Sequence, residues 1–158
     1  MAQHVDEICS ALNSLIQTCR DGEHGYRTAA SDVHNSELES IFLGYAEQRT
    51  KFAKELHAEV ARLEGTVADS GSVSAAVHRG WMNVKAALTG SSAAAIIAAC
   101  ETGEDAAAAA YERVIDSVLP GETRSLVERQ RQQVKEAHSH MLRLKGETQR
   151  GNSFTTNE

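Results

Sequence analysis

From Val5 to Val33 the apolar positions fall at steps of three and four: Val5, Ile8, Leu12, Leu15/Ile16, Cys19, Tyr26, Ala29/Ala30 and Val33. That spacing lays one apolar stripe along a helix. Asn35-Ser36 interrupts the stripe and offers capping side chains, with Glu39 three residues after Ser36 as in a capping box. A second stripe runs through Leu38, Ile41/Phe42, Tyr45, Phe52, Leu56, Val60 and Leu63, and Gly65 closes it. Residues 65–91 break the pattern: loop-like stretches flank Val73 to Leu88, which reads as a short helix carrying Trp81. A third helix carries Ile96/Ile97, Cys100, Ala107, Tyr111, Val114/Ile115 and Val118. Leu119-Pro120-Gly121-Glu122 then turns tightly into a fourth, with Leu126/Val127, Val134, Ala137, Met141 and Leu144. The stretch 147–158 is polar and aperiodic, which predicts a disordered polar tail after one domain over residues 1–146.

Two short-turn helical hairpins joined by one long connection are the bundle topology with a crossover. The expected fold is therefore all-α, a ferritin-like four-helix bundle of two hairpins with a short extra helix in the crossover. An internal repeat strengthens this reading. Shifting the chain by 81 positions, from Cys19 to Cys100, aligns both hairpins without a gap. C-x-x-G-E recurs at Cys19 to Glu23 and Cys100 to Glu104, and the same register matches Glu47 with Glu128, Glu55 with Glu136 and His57 with His138. Amphipathic helices share leucines by chance, but not these patterns in one register, so the hairpins read as a duplication about a pseudo-twofold axis.

Composition agrees with helix: one proline and only 4% aromatic residues. A net charge of -6 and no basic run argue against nucleic acid and anionic lipid as partners. No leader-like or membrane-spanning segment is present, which predicts a cytoplasmic protein with no membrane association. Cys9, Cys19 and Cys100 lack metal-site or redox spacing and read as reduced thiols packed as small hydrophobes. A thiol switch between the repeat mates Cys19 and Cys100 is the alternative.

Candidate chemistry begins where the stripes are interrupted. Gly22/Glu23 stands between Cys19 and Tyr26, Glu104 between Cys100 and Ala107, Gln48/Arg49 between Tyr45 and Phe52, and helix 4 brings Gln130/Arg131. These six positions, Glu23, Gln48, Arg49, Glu104, Gln130 and Arg131, predict a polar layer halfway along the bundle. Buried carboxylates need a cation, hydrogen bonds or a metal. In one reading the guanidinium of Arg49 neutralises the glutamates. In the other, iron, manganese or zinc is held by Glu23 and Glu104 with some of Glu47, Glu101, Glu136, His138 and His140. Di-iron bundles add an E-x-x-H from each of two further helices. That motif is missing: Glu55-x-His57 and Glu136-x-His138 are spaced by two, which points each pair to different sides. No nucleophile with its base and no phosphate or dinucleotide loop appears. Trp81 is expected to pack the crossover onto the bundle, or else to lie at a subunit interface.

The stretches Arg20 to Tyr26, Gln48 to Phe52, Gly71-Ser72-Val73 with His78 to Trp81, and Gly103-Glu104-Asp105 with Tyr111 resemble an uncharacterised family of bacterial ferritin-like four-helix bundle proteins. The resemblance covers roughly residues 5–145. It implies a bacterial origin and the ferritin-like fold, but no activity, the family itself being a domain of unknown function. Only Glu23 and Glu104 match ligand positions of the wider superfamily. The expectation is a non-enzymatic structural, interaction or stress-related protein without cofactor, forming homo-oligomers with an unknown protein partner; the alternative is a di-metal protein with oxidase or metal-handling activity.

Overall fold

Helix ends fall where side chains can take up the free backbone groups. A computed structural model describes residues 2–66, 81 and 92–149. The described helices are α1 (Ala2–Asp32), α2 (Ser36–Arg62), α3 (Ala93–Ile115) and α4 (Gly121–Gln149). Asn35 caps α2 from extended backbone, its Oδ1 accepting the Leu38 N–H at 2.9 Å. The expected Ser36/Glu39 capping box is thus displaced by one residue, Ser36 being already helical. At the other end of α2 the Gly65 N–H reaches Val60 O at 2.9 Å and the Glu64 N–H reaches Ala61 O at 3.0 Å. This pair of bonds is a Schellman closure, and it puts Glu64, at φ 60, in the left-handed position that usually belongs to glycine. Gly65 stands one place later, where a Cβ would lie 2.2 Å from Cys9 Sγ.

Ser92 caps α3 through a bond from the Ala95 N–H at 3.3 Å. Beyond α3 the chain departs from the expected stripe: Val118 is 74% exposed, and Leu119 enters the core instead. Arg124, in the first turn of α4, donates to Ile115 O at 3.1 Å and Ser117 O at 2.9 Å, satisfying carbonyls at the end of α3. α4 runs through 147–149, where a tail was expected. The remainder of that tail, and the expected crossover helix apart from Trp81, lie outside the described residues.

The apolar stripes meet in one core, Leu12, Leu15, Phe42, Leu56, Ile97 and Met141 among its members. Each hairpin packs closely, and α1 lies against α3, whereas α2 and α3 stand on the diagonal without close backbone approach. The direction of the helices follows from their contacts. Tyr45 meets His140 while Glu59 meets Thr123, so α2 and α4 are antiparallel. Cys19 meets Tyr111 while Gly25 and Gly103 flank Trp81, so α1 and α3 are antiparallel too. Because α1 and α2 form a hairpin, α2 and α3 run parallel. The connection between them therefore returns along the bundle, as the long crossover requires.

Candidate functional site

Arg49 interrupts the α2 stripe between Ala46 and Phe52, and helical phase carries it into the core, where it is 1% exposed. Glu104 interrupts α3 in the same way between Cys100 and Ala107 and is 0% exposed. The two meet across the diagonal. Arg49 NH1 donates to Glu104 Oε1 at 2.6 Å and NH2 to Oε2 at 2.7 Å, a bidentate fork. The third edge of the guanidinium is used as well, Nε donating to Gln48 Oε1 at 3.2 Å. Gln48 in turn donates to Gln133 Oε1 of α4 at 3.5 Å. Taking both charges out of water costs several kcal/mol per ion, and only such geometry offsets it.

Three glycines and the single tryptophan seal the pair from the α1 and α3 side. A Cβ at Gly22 would lie 3.2 Å from Arg49 NH1, and at Gly25 or Gly103 it would lie 2.1 or 2.6 Å from the indole of Trp81. The absent side chains are the space that the indole and the guanidinium fill. Tyr26 adds a ring centred 5.8 Å from the guanidinium carbon and packs edge-on against Trp81 at 4.9 Å. Burial, and after it the Glu104 charge, pushes the Tyr26 hydroxyl well above its ordinary range. That hydroxyl and the Trp81 indole N–H are buried without a well-aligned hydrogen-bond partner among the described residues.

A second polar strand crosses the core beside the pair. Cys19 Sγ lies 3.2 Å from the Tyr111 hydroxyl, which donates to Gln130 Oε1 at 2.7 Å. Gln130 Nε2 donates to Phe52 O at 3.2 Å and Glu55 Oε1 at 3.3 Å, and Arg129 grips Glu55 at 2.9 Å. Gln130 is the repeat mate of Arg49, and both are buried. The symmetric counterpart of the Arg49–Glu104 tie would join Gln130 to Glu23. It does not form. An amide cannot neutralise a carboxylate, and Gln130 is already engaged, so Glu23 stays at the surface with a 30% exposed side chain, bonded to Arg27 at 3.2 Å. Of the six residues expected in the layer, then, Arg49, Glu104 and Gln130 are buried together and Gln48 is half-buried beside them. Arg131 also stands apart, at 2.7 Å from Glu112.

The seven residues of the alternative metal set are spread out. Glu104 has both oxygens on Arg49, and Glu101 bonds His138 Nε2 at 3.0 Å. His140 Nδ1 lies 2.7 Å from the Tyr45 hydroxyl, Glu23 turns to Arg27, and Glu47 and Glu136 are exposed. Among the described residues no three His, Cys, Asp or Glu side chains are grouped to hold a metal ion. A guanidinium standing on the central carboxylate is also the wrong neighbour for a cation, so the residues present do not fit a di-metal centre. Nor do the thiols suit a switch: all three are buried and unbridged, and burial pushes Cys19 up to about 11 and Cys100 higher still.

Two features lay beyond the sequence reading. Gly25 was not singled out, although it makes the tightest approach to Trp81; a G-x-x-G spacing from Gly22 was its only mark. Glu59, 8% exposed, takes Arg62 at 2.6 Å and Thr123 Oγ1 at 2.7 Å, forming a second buried carboxylate site between α2 and α4. The Arg62 bonds, foremost, hold its pKa below the usual carboxylate value. Its place beside Val60 on the stripe was the available signal.

No helix among the described residues is long and apolar enough to cross a membrane. No curated protein matches the chain in sequence. A family match begins within α1 and ends just past α3, taking in Arg49, Trp81 and Glu104 and leaving out Gln130. On that match, over residues 7–117, the chain belongs to the family described as Domain of unknown function (DUF2383).

Proposed function

We propose that this is a non-enzymatic ferritin-like bundle, cytoplasmic, without a metal cofactor, which acts through protein contacts in assembly or stress. In this reading the Arg49–Glu104 tie serves structural specificity. The observation that carries it is the bidentate fork at 2.6 and 2.7 Å, which occupies both oxygens of the Glu104 carboxylate, fully buried in the core. A di-metal centre needs that carboxylate free and needs histidine ligands spaced to join it. Instead His138 is bonded to Glu101 and His140 to Tyr45. A buried ion pair adds little net stability over apolar residues of the same size, so its value lies in admitting one arrangement of helices.

The test is elemental analysis of the full chain expressed in iron-, manganese- and zinc-supplemented media, beside the variant Glu104→Ala. Only traces of transition metal in both proteins are expected. A stoichiometric metal in the wild type that Glu104→Ala loses would overturn the reading and restore the metal alternative. Sizing of the purified chain by light scattering tests the homo-oligomer expectation separately, a monomer at all concentrations ruling it out.

A further inference from the structure

A groove of about 430 Å³ lies between α1 and α2, lined by Arg20 and Glu23 on one side and by Ala53, Lys54 and His57 on the other. Its charges are unbalanced. Glu23 is already held by Arg27 at 3.2 Å. Arg20, Lys54 and His57 make no ion pair or hydrogen bond among the described residues, in a chain whose net charge is -6. Three cationic or proton-accepting heads facing one recess therefore stand against the overall sign of the protein.

The repeat shows what such a recess accepts. Lys54 and His57 recur in the second hairpin as Lys135 and His138, but the mate of Arg20 is Glu101. There the carboxylate sits on the imidazole, Glu101 Oε1 to His138 Nε2 at 3.0 Å. In the first hairpin the internal carboxylate has been exchanged for a guanidinium, leaving the imidazole without its acidic partner. We infer that the α1/α2 groove is a binding site for a small organic anion whose oxyanion head, a carboxylate or a phosphate monoester, takes the place that Glu101 fills in the duplicate. Arg20 supplies a planar fork matched to two oxygens of such a head, and Lys54 and His57 supply further donors. Ala53 and Ala58 line the groove with methyl groups for the body of the ligand. The volume suits a small metabolite, at the lower end of ligand pockets.

The test uses the full chain, isotopically labelled, titrated with inorganic phosphate, phenyl phosphate and succinate against chloride at matched ionic strength. Saturable shifts of the His57 ring and Arg20 Nε–Hε signals are expected with at least one oxyanion and not with chloride. Saturation by phosphates alone assigns the head as phosphate, by succinate alone as carboxylate, and tighter binding of phenyl phosphate than of phosphate assigns the alanine floor to the organic body. Arg20→Glu, which installs the residue of the duplicate, is expected to weaken binding by about tenfold or more, the loss of a charge-assisted bidentate contact. Lys54→Gln is expected to weaken it less. Both positions are exposed, so an unchanged helical spectrum checks that the variants fold. Shifts no different from those in chloride, or affinity that survives Arg20→Glu, would overturn the site.

Discussion

Glu104→Gln is the sharpest perturbation of this bundle, because it keeps the shape of the side chain and removes only the charge. The two bonds it weakens, at 2.6 and 2.7 Å, are both charge-assisted and shielded from water. Charge-assisted bonds contribute roughly 1.5–3 kcal/mol each, so two give about 3–6 kcal/mol. Measured losses on breaking one side of a buried ion pair fall at about 3–5 kcal/mol, since the orphaned guanidinium stays desolvated. With a urea slope of roughly 2–3 kcal/mol/M, the unfolding midpoint should fall by about 1–2 M. Helical circular dichroism and the fluorescence of the buried Trp81 follow the same transition. The companion variant Arg49→Met/Glu104→Leu removes both charges and fills the space with apolar atoms. It should cost far less than either single change, and can even stabilise by about 1–4 kcal/mol. A midpoint for Glu104→Gln within about 0.3 M of wild type, less than 1 kcal/mol at that slope, would refute the buried tie. A double variant as costly as the two single changes added together would refute the coupling.

Other consequences are open to direct measurement. Gly25→Ala would place a Cβ 2.1 Å from Trp81 Cε3, so despite the better helix propensity of alanine it should destabilise by about 1–3 kcal/mol and shift Trp81 emission; a stabilised variant would contradict the wedge. Glu64→Gly removes the strain of a left-handed non-glycine residue and should raise stability by about 0.5–1 kcal/mol in thermal unfolding, with no gain if the Schellman closure is absent in solution. In native protein Cys19 and Cys100, their thiols pushed up by burial, should resist Ellman's reagent at pH 8 and react only on unfolding; prompt labelling of either would contradict the packing. His140 is held below the ordinary imidazole value chiefly by burial and then by Arg143. Its folded form therefore binds a proton less readily than the unfolded chain. Its contribution to stability is complete above about pH 6.5 and declines as pH falls toward its lower folded value. Proton NMR should show its ring titrating below 6.5, and a titration at or above that value would contradict its burial beside Arg143.

The helices and their pairing were legible because an apolar period is a local property of the chain. A charge on such a stripe is legible too, and for that reason Arg49 and Glu104 stood out. Glu23 shows where that logic ends. It occupies the same sequence position as Glu104, yet its burial is decided by residue 130 on another helix, where glutamine replaced the cation a buried carboxylate needs. Likewise the place of Gly22 and Gly103 inside helices is visible in the sequence but its reason is not, since a Cβ would meet Arg49 at Gly22 and Trp81 at Gly103, side chains that arrive from other parts of the chain. Val118 and Leu119 exchange roles for a smaller cause, since α3 ends at Ile115 and the helical phase no longer applies beyond it. The site of Glu59 depends on Thr123 approaching from α4, a contact no spacing within α2 contains.

Two hairpins of similar sequence set a problem of specificity, and in the proposed reading the asymmetric tie answers it. Two similar hairpins present similar apolar faces, so burial of apolar area alone does not choose between pairing within one chain and pairing like with like between chains. Polar groups on those faces do choose. If the second hairpin paired with its own kind, the pseudo-symmetry would bring Glu104 against Gln130, and a carboxylate would be buried without a cation at a cost of several kcal/mol. Pairing within the chain gives Glu104 its guanidinium instead. The first hairpin carries Arg49 together with a glutamate at position 23, and the outward turn of Glu23 to Arg27 keeps that carboxylate solvated when Arg49 is committed across the diagonal. One cation and one buried anion, contributed by different hairpins, thus disfavour pairing of the second hairpin with its own kind, which the apolar pattern alone leaves open. Such discrimination needs no symmetric ligand cage. A di-metal centre would draw like residues from both halves of the repeat, whereas here Arg49 and its mate Gln130 differ, and only the guanidinium meets the buried Glu104 carboxylate.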